Sequence, residues 1–368
     1  MDHVTSRIVG SGKFLPPHRM DNVELFRREG IQRNFDVERA RGSLRDAGDP
    51  DALSAVEVFD RWARQVTGIR ERRIVTEEDG LTTEDLCVRA SLAALERAEM
   101  EPEDLDFIVG ATVTPMESVP NLACTVAAEL GVPRTPGYTV NAACAGFVYA
   151  LTAGYAHIRA GLGDRVLVVA GDALSHITDY EDPKTAVLFG DGAGAVVLER
   201  SEEGDGILGR PYTEADYAPE HLYLRGQGWA TEEEPSPKLH MGGGPKVLRQ
   251  AIHAMRRVGE RALASADLEW EDVHYVVPHQ ANLRITRGLE RQLDLPRGRV
   301  VHTIQTYGNL SASTVGVSLD EVLRGEHGPL PDPTLIVLTA VGGGYTSAGA
   351  VISWRPGVAA ETERILGR

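Results

Sequence analysis

Three residues whose side chains can act as nucleophile or hydrogen-bond donor stand at the ends of apolar runs: Cys144, His279 and Asn309. Cys144 lies in VNAACAGFVYAL, Val140–Leu151, after the strand-like PGYTVNAA. The apolar helical pattern that follows it closes at Gly161 and Gly163. A thiol at the start of a buried helix feels the positive end of the helix dipole, which lowers its pKa and raises the thiolate fraction. Ala142, Ala143, Ala145 and Gly146 leave room for a substrate. This is the logic of a nucleophile elbow, although no G-x-S-x-G is present. The stretch alone fits a small buried hydrophobe equally well, the usual role of cysteine.

Partners for such a thiol follow other apolar runs. VPHQANLRI puts His279 and Asn282 directly after the strand-like VHYVVP, and TYGNLSAST puts Asn309 in a small-residue turn. A glycine cluster, VGGGYTSAG, follows LIVLTA. All sit at C-terminal ends of strands, where open α/β sheets build their sites. Of eleven histidines, His279 is the best placed; His157 falls inside the helix after Cys144 and is expected to pack there. Asn at position 309 can donate hydrogen bonds where an Asp could only accept them. Asn also shapes tight turns, and both roles can hold at once.

The elements that must position these residues read as written twice. ALERAEMEPEDLDFIVGATVT and ALASADLEWEDVHYVVPHQAN each read as a helix end, an acidic turn and a strand, with strand starts at Phe107 and Tyr275, 168 residues apart. The Cys144 turn and Ser311 in GNLSAST are 167 apart, and the strands at Arg165 and Thr334 are 169 apart. A near-constant offset indicates internal duplication. Short apolar strands alternate with amphipathic helices such as DLCVRASLAALERA and KVLRQAIHAMRRVGERALASA, so the expected class is α/β with buried, largely parallel strands. Two units result, 1–200 and 201–368, with a surface crossing at SEEGDGILGR. Ile31–Val58, charged and broken by Gly and Pro, fits neither unit and reads as an inserted helical flap.

Composition narrows the function classes. The chain has 368 residues, enough for two core-bearing units, and 42% apolar residues. Its net charge of −16 argues against nucleic acid as a general partner. No apolar run is long enough for a membrane helix, and MDHVTSRIVGSG has no secretion-signal core. Three cysteines, Cys87, Cys124 and Cys144, fit a reducing cytoplasm rather than a disulfide framework. Cys124 is expected in the core or a pocket wall. No metal-ligand spacing is read.

NAACAGFVYAL, FGDGAGAVVL, PHQANLRI, GNLSAST and GGGYT, in this order, resemble the β-ketoacyl-acyl-carrier-protein synthase III family of thiolase-fold condensing enzymes, and TGIRERR resembles its N-terminal signature. The likeness runs from SRIVGSGKFLPP to SAGAVISW, apart from the insert. It implies a thiolase-like fold, two duplicated α/β halves in five layers, and a homodimer. It implies that Cys144 takes an acyl group from a thioester, with the N–H groups of Cys144 and Gly344 as oxyanion hole. His279 and Asn309 would stabilise the enolate of a malonyl thioester, on malonyl-acyl carrier protein, after loss of CO2. No resident cofactor or metal is implied; coenzyme A or carrier phosphopantetheine carries the substrate. FGDGAGA lacks a following Lys and runs into a strand, so it is read as structural turns, not a phosphate loop.

Trp62 matches one half of the family's coenzyme A clamp, but Val66 and Pro183 stand where basic residues are expected. The donor therefore stays open between coenzyme A and a carrier protein, with Arg64 or Lys184 as substitutes. Arg284 matches a carrier-docking position, with Lys246, Arg249, Arg256, Arg257, Arg287 and Arg291 on the helices near the mouth. Asn282 is expected to bind substrate. Val119 replaces a Phe in the partner-supplied acyl-pocket wall, so a medium, long or bulky acyl group is expected. Two alternatives use the same residues: head-to-head condensation of two acyl thioesters, and acyl transfer to a hydroxyl or amine.

Overall fold

The strands read at Phe107, Arg165, Tyr275 and Thr334 begin at those residues. The structure, a computed structural model, describes residues 4–45, 48–202, 205–217, 222–225, 238–242 and 245–355. The middle of the expected crossing SEEGDGILGR lies outside the described residues.

One sheet has five strands: β1 (Val4–Phe14), β2 (Phe107–Ala111), β3 (Gly137–Val140), β4 (Arg165–Ala173) and β5 (Asp191–Glu202). Their order is β1-β5-β4-β2-β3. Strands β4, β2 and β3 pair in parallel, β5 pairs antiparallel to β4, and β1 pairs antiparallel to β5. The second sheet contains β6 (Gly206–Ala215), β7 (Tyr275–Pro278), β8 (Thr334–Gly342) and β9 (Thr346–Trp354). Its order, β6-β9-β8-β7, repeats β1-β5-β4-β2 with the same parallel and antiparallel pairings. A parallel bridge from Val276 to Val300 takes the place that β3 holds in the first sheet.

Six helices complete the frame: α1 (Ala55–Thr67), α2 (Thr83–Ala98), α3 (Gly146–Arg159), α4 (Pro245–Ala264), α5 (Leu283–Leu293) and α6 (Ser313–Leu323). α3 and α6 lie between the sheets. Phe147 and Leu151 of α3 and Val315 and Leu319 of α6 share one core with Val168 and Leu338 from the two sheets. α2 covers the outer face of the first sheet through Leu86, Ala90 and Leu95. α4 and α5 cover the second through Met255, Ile285 and Leu289. The result is five layers, helix–sheet–helix–sheet–helix. Close approach of the middle layer depends on glycine: a Cβ on Gly194 would lie 2.6 Å from the Gly316–Val317 backbone. This is the physical role of FGDGAGA, whose Asp191 is buried and accepts Val75 N–H at 2.7 Å.

The insert is packed rather than loose. Helices Glu29–Asn34 and Val37–Arg41 bury Ile31, Phe35 and Ala40 against Phe59, Leu188 and Phe189. Arg33 and Asn34 both bond to Glu181. None of the described residues of 31–58 lines the central cavity. The segment read as an inserted flap therefore uses its apolar face to hold α1.

Candidate active site

A short 3₁₀ turn, Ala143–Ala145, carries Cys144 from β3 into α3. Ala143 adopts a left-handed φ of 47°, which turns the chain sharply and puts the next residue at the helix entrance. Asn141 fastens the turn by accepting Ala143 N–H at 3.3 Å. The second half repeats this device. Ser311 has φ 51°, and the Asn309 side-chain oxygen accepts Ser311 N–H at 2.9 Å. The structural counterpart of Ser311 is therefore Ala143, and that of Cys144 is Ala312. This moves the duplication register at the turn from 167 to 168 residues, the offset of the Phe107 and Tyr275 strands.

His279 follows β7 and is anchored by its own N–H to Thr339 C=O at 2.8 Å. The neighbouring Gln280 holds the turn open by donating to Pro278 and Val301 carbonyls, both at 2.9 Å. Asn309 is fixed at both backbone ends, N–H to Leu188 C=O at 2.9 Å and C=O from Gly190 N–H at 3.0 Å.

Cys144, His279 and Asn309 line one cavity of about 1460 Å³. Gly344, Trp62 and Asn282 line it as well, as do Asn141, Ser311 and Lys184. Cys144, His279 and Asn309 are all buried. Of the glycine cluster, Gly342 is pressed closest to the thiol turn: a Cβ there would lie 2.8 Å from Cys144 N and 2.7 Å from Ala142 O. Thr346 ties the same loop down by donating to Ala142 C=O at 2.6 Å.

Burial dominates the electrostatics. It pushes the Cys144 thiol up to about 12, against a lowering hydrogen bond from Ser311. The expectation of a depressed thiol pKa is thus reversed, because desolvation at the turn outweighs the short reach of a helix dipole. Burial pushes His279 down to about 3, so its ring is neutral at physiological pH, and its buried Nδ1 has no hydrogen-bond partner among the described residues. A neutral imidazole still keeps one N–H to donate.

The remaining expected residues fall in different places. Asn282 caps α5, accepting Arg284 N–H at 2.8 Å, and donates to Val66 C=O at 3.0 Å. Arg284 is exposed and donates to Gln65 C=O at 3.0 Å, so both fasten the end of α1. Trp62 packs on Phe35 with ring centroids 5.1 Å apart. Val119 is 86% exposed and outside the cavity wall, which Met116 and Ser118 reach instead. Cys124 is exposed, correcting the expectation of a core or wall position. Arg64 pairs with Asp60 at 2.8 Å, whereas Lys184 lines the cavity. Arg256 and Arg257 are spent on Glu260 and Glu214; Arg249, Arg287 and Arg291 are exposed. The Lys246 side chain lies outside what the structure describes. His157 stacks on Phe107 at 4.1 Å, as a packing residue.

Asp172 at the end of β4 is a site residue that the sequence signals only as an acid closing an apolar run, RVLVVAGD. It is fully buried and hydrogen-bonded by Thr112, Val113, Thr114 and the turn around Ser311.

Two sheets of one topology around two buried helices, with a thiol at one helix start and an Asn at the other, define a thiolase-like fold. Comparison with known proteins agrees. Residues 138–213 match the family 3-oxoacyl-[acyl-carrier-protein (ACP)] synthase III, and residues 263–354 match its C-terminal part. The β-ketoacyl-[acyl-carrier-protein] synthase III of Xylella fastidiosa is 40% identical over 354 residues, 95% of this chain and 99% of its own. The crystal structure of 3-oxoacyl-(acyl carrier protein) synthase III from Pseudomonas aeruginosa PAO1 is 32% identical with a TM-score of 0.80, covering 96% of this chain and 99% of that one. The priming β-ketosynthase of the R1128 polyketide pathway is 30% identical, also with a TM-score of 0.80, over 96% and 97% of the two chains. The chain belongs to the β-ketoacyl-acyl-carrier-protein synthase III family and is an acyltransferase-type condensing enzyme.

Proposed function

We propose that the enzyme transfers an acyl group from a thioester donor to Cys144 and condenses it, with loss of CO2, onto a malonyl unit carried by acyl carrier protein. The product is a β-ketoacyl thioester. The observation that carries this reading is the fixed Asn309 amide. Its oxygen is occupied by Ser311 N–H, which leaves the NH2 group to donate into the cavity shared with neutral His279 and Cys144. Two neutral donors suit an enolate oxygen, whose charge develops only as CO2 leaves. The N–H groups of Cys144 and Gly344 serve the earlier acyl transfer as oxyanion hole.

The cavity supports a medium, long or bulky acyl group. At about 1460 Å³ it exceeds the usual small-ligand site, and Leu174, Ile177, Leu188, Phe189 and Leu239 make much of its wall apolar. Trp62, Asn282 and Lys184 would flank the pantetheine arm, and Arg284 with exposed Arg249, Arg287 and Arg291 would dock an acidic carrier protein. No resident cofactor or metal enters this chemistry; coenzyme A or carrier phosphopantetheine arrives and leaves with the acyl groups. The free state of all three cysteines supports a cytoplasmic enzyme.

A homodimer follows from the same reading. β3 ends its sheet with one edge unpaired, and Met116, Val119 and Tyr138 are exposed beside it. A second copy pairing along β3 would cover these side chains and bring Val119 to its partner's cavity. The matching strand orders also support an origin by duplication, with units 1–200 and 201–368. CO2 release from malonyl-carrier protein tests the central assignment. His279→Ala and Asn309→Ala should each abolish it while leaving acylation of Cys144 largely intact; parent rates in either variant would sink the enolate role.

A further inference from the structure

The chain between β4 and β5 leaves the Asn309 turn and comes back to it. At its start, Asp172 Oδ2 accepts Ala312 N–H at 3.1 Å. At its finish, Leu188 C=O accepts Asn309 N–H at 2.9 Å, and Gly190 N–H donates to Asn309 C=O at 3.0 Å. Between these fixed ends, Leu174, His176, Ile177, Asp182, Lys184 and Thr185 line the cavity that holds Cys144. Space lies on another side of the same segment. A second cavity of about 620 Å³ is lined by Ser175, His176 and Tyr180 together with Arg28 and Thr76. His176 and Thr82 border both cavities. A wall with room on two sides owes its position to its ties as much as to packing.

The middle of the wall is tied to the helix Glu29–Asn34, at the start of the insert. The Asn34 side-chain amide donates to Glu181 C=O at 2.8 Å and to its carboxylate at 3.0 Å. Arg33 donates to the same carboxylate, and the Arg28 guanidinium lies 3.9 Å over the Tyr180 ring. The approach is close: a Cβ on Gly30 would lie 2.6 Å from Glu181 Oε1 and 2.9 Å from Tyr180 C=O. A second pair of ties comes from the other half of the chain. Leu239 N–H donates to Ile177 C=O at 3.0 Å, and Lys238 pairs with Asp179 at 2.7 Å. The Arg33–Glu181 pair is exposed on both sides and contributes little alone. Asn34 is the firmer tie, because it holds the Glu181 backbone as well as the side chain. Arg28, Gly30, Arg33 and Asn34 all stand outside the lining of the Cys144 cavity, so they act on it only through the wall.

We propose that Asn34 and Glu181 are positioning residues that set the breadth of the acyl group admitted beside Cys144. Leu174 and Ile177 are the apolar side chains that the wall presents to the cavity. With the Asn34 tie in place, residues 177–182 stay at the insert and the site keeps one width. Without it, the wall gains freedom toward the second cavity, and the site accepts broader groups. Added volume at Gly30 pushes Glu181 and Tyr180 away from the insert and narrows the site.

This rests on Cys144 being the acyl acceptor, and the experiment separates the two ideas. Self-acylation at subsaturating donor is followed by intact mass with octanoyl and cyclohexanecarbonyl thioesters, on coenzyme A and on carrier protein. The proteins are the parent, Asn34→Ala, Glu181→Gln and Gly30→Ala. Asn34 is exposed, so Asn34→Ala should fold. Its ratio of cyclohexanecarbonyl to octanoyl transfer should rise about tenfold, the discrimination that one methylene gives in an apolar pocket. Gly30→Ala should lower that ratio. Glu181→Gln keeps the backbone C=O and a side-chain acceptor for Asn34, and should keep the parent ratio. Simple loss of stability slows both donors together and leaves the ratio where it was. A ratio in Asn34→Ala that is unchanged or lower than in the parent overturns the positioning role while leaving Cys144 assigned. A parent that acquires no adduct on Cys144 overturns the underlying reading instead.

Discussion

The Asn309 side-chain oxygen accepts the backbone N–H of Ser311 at 2.9 Å. That bond fixes which end of the amide is free, and an Asp could make the same bond. Asn309→Asp should therefore keep the turn and the fold but replace a donor by a charge next to a developing anion. Loss of one such donor costs on the order of 100- to 1000-fold in rate. CO2 release should fall by that much, and the remaining turnover should shift toward hydrolysis or transfer, because the new carboxylate can orient His279 as a base. An unchanged product ratio in the two proteins counts against this.

The neutral state of His279 makes a pH prediction. With its pKa pushed down to about 3, decarboxylation should show no limb near the ordinary histidine value of about 6.5. The same shift has a stability consequence of definite sign. The unfolded chain binds a proton on His279 below about pH 6.5 and the folded one does not, so stability falls as pH drops from there. Denaturant melts at pH 5.5 and 7.5 should show parent losing up to about 1.4 kcal/mol more than His279→Gln over that interval. Identical losses in the two proteins contradict a buried neutral ring.

Gly342 tests how closely the thiol turn is packed. Its missing Cβ leaves 2.7 Å to Ala142 O and 2.8 Å to Cys144 N, both backbone atoms that cannot rotate away. Gly342→Ala should displace the Cys144 turn and reduce self-acylation by on the order of 100-fold, an effect of misplacement of about 1 Å. Thermal unfolding should fall only modestly. Acylation at the parent rate would show that the turn tolerates the shift.

The sequence exposed the frame well and the insert poorly. Strand starts at Phe107, Arg165, Tyr275 and Thr334 were readable because buried strands are short apolar runs with sharp polar ends. Cys144, His279 and Asn309 were readable because each closes such a run. Segment 31–58 reads as a loose flap because it is charged and broken by Gly and Pro. Its buried side chains, Ile31, Phe35, Ala40 and Val58, are too sparse to show a period, and they cluster with Phe59 and Leu188. The environment of Cys144 was also hidden, since burial, not helix position, sets its protonation. Asp172 could not be found without the fold: its hydrogen-bond partners come from residues 112–114 and from Ala312, far apart in the chain.

Phe35 gives a direct test of the segment's hold on α1. It backs both Phe59, at 4.9 Å, and Trp62, at 5.1 Å. Phe35→Ala should cost about 3 kcal/mol or more of stability, the usual price of deleting a buried ring. At a temperature where the variant is still folded, KM for the acyl donor should rise more than kcat falls, because Trp62 loses its support. An unaltered KM would place Trp62 outside the donor path.

Chain-length preference depends on the proposed dimer. Val119 is too exposed to shape its own cavity, so Val119→Phe should change acyl selection only by reaching across a β3 edge contact. Acylation rates with acetyl, octanoyl and dodecanoyl thioesters should favour the longer chains in the parent and shift toward acetyl in Val119→Phe. Sedimentation should give twice the chain mass of 39.8 kDa. A monomer, or fastest acetyl transfer unaltered by the substitution, rules out this account of the wall.

The most direct test of the account is intact-mass measurement of acyl transfer and discharge on Cys144. The parent is exposed to octanoyl and dodecanoyl thioesters, on coenzyme A and on carrier protein, and then to malonyl-carrier protein. The account predicts a single acyl adduct that maps to Cys144 and is absent from Cys144→Ala. It predicts that malonyl-carrier protein discharges the adduct with one CO2 released per β-ketoacyl product. An adduct that persists in Cys144→Ala, or one on Cys144 that malonyl-carrier protein leaves in place, would contradict it.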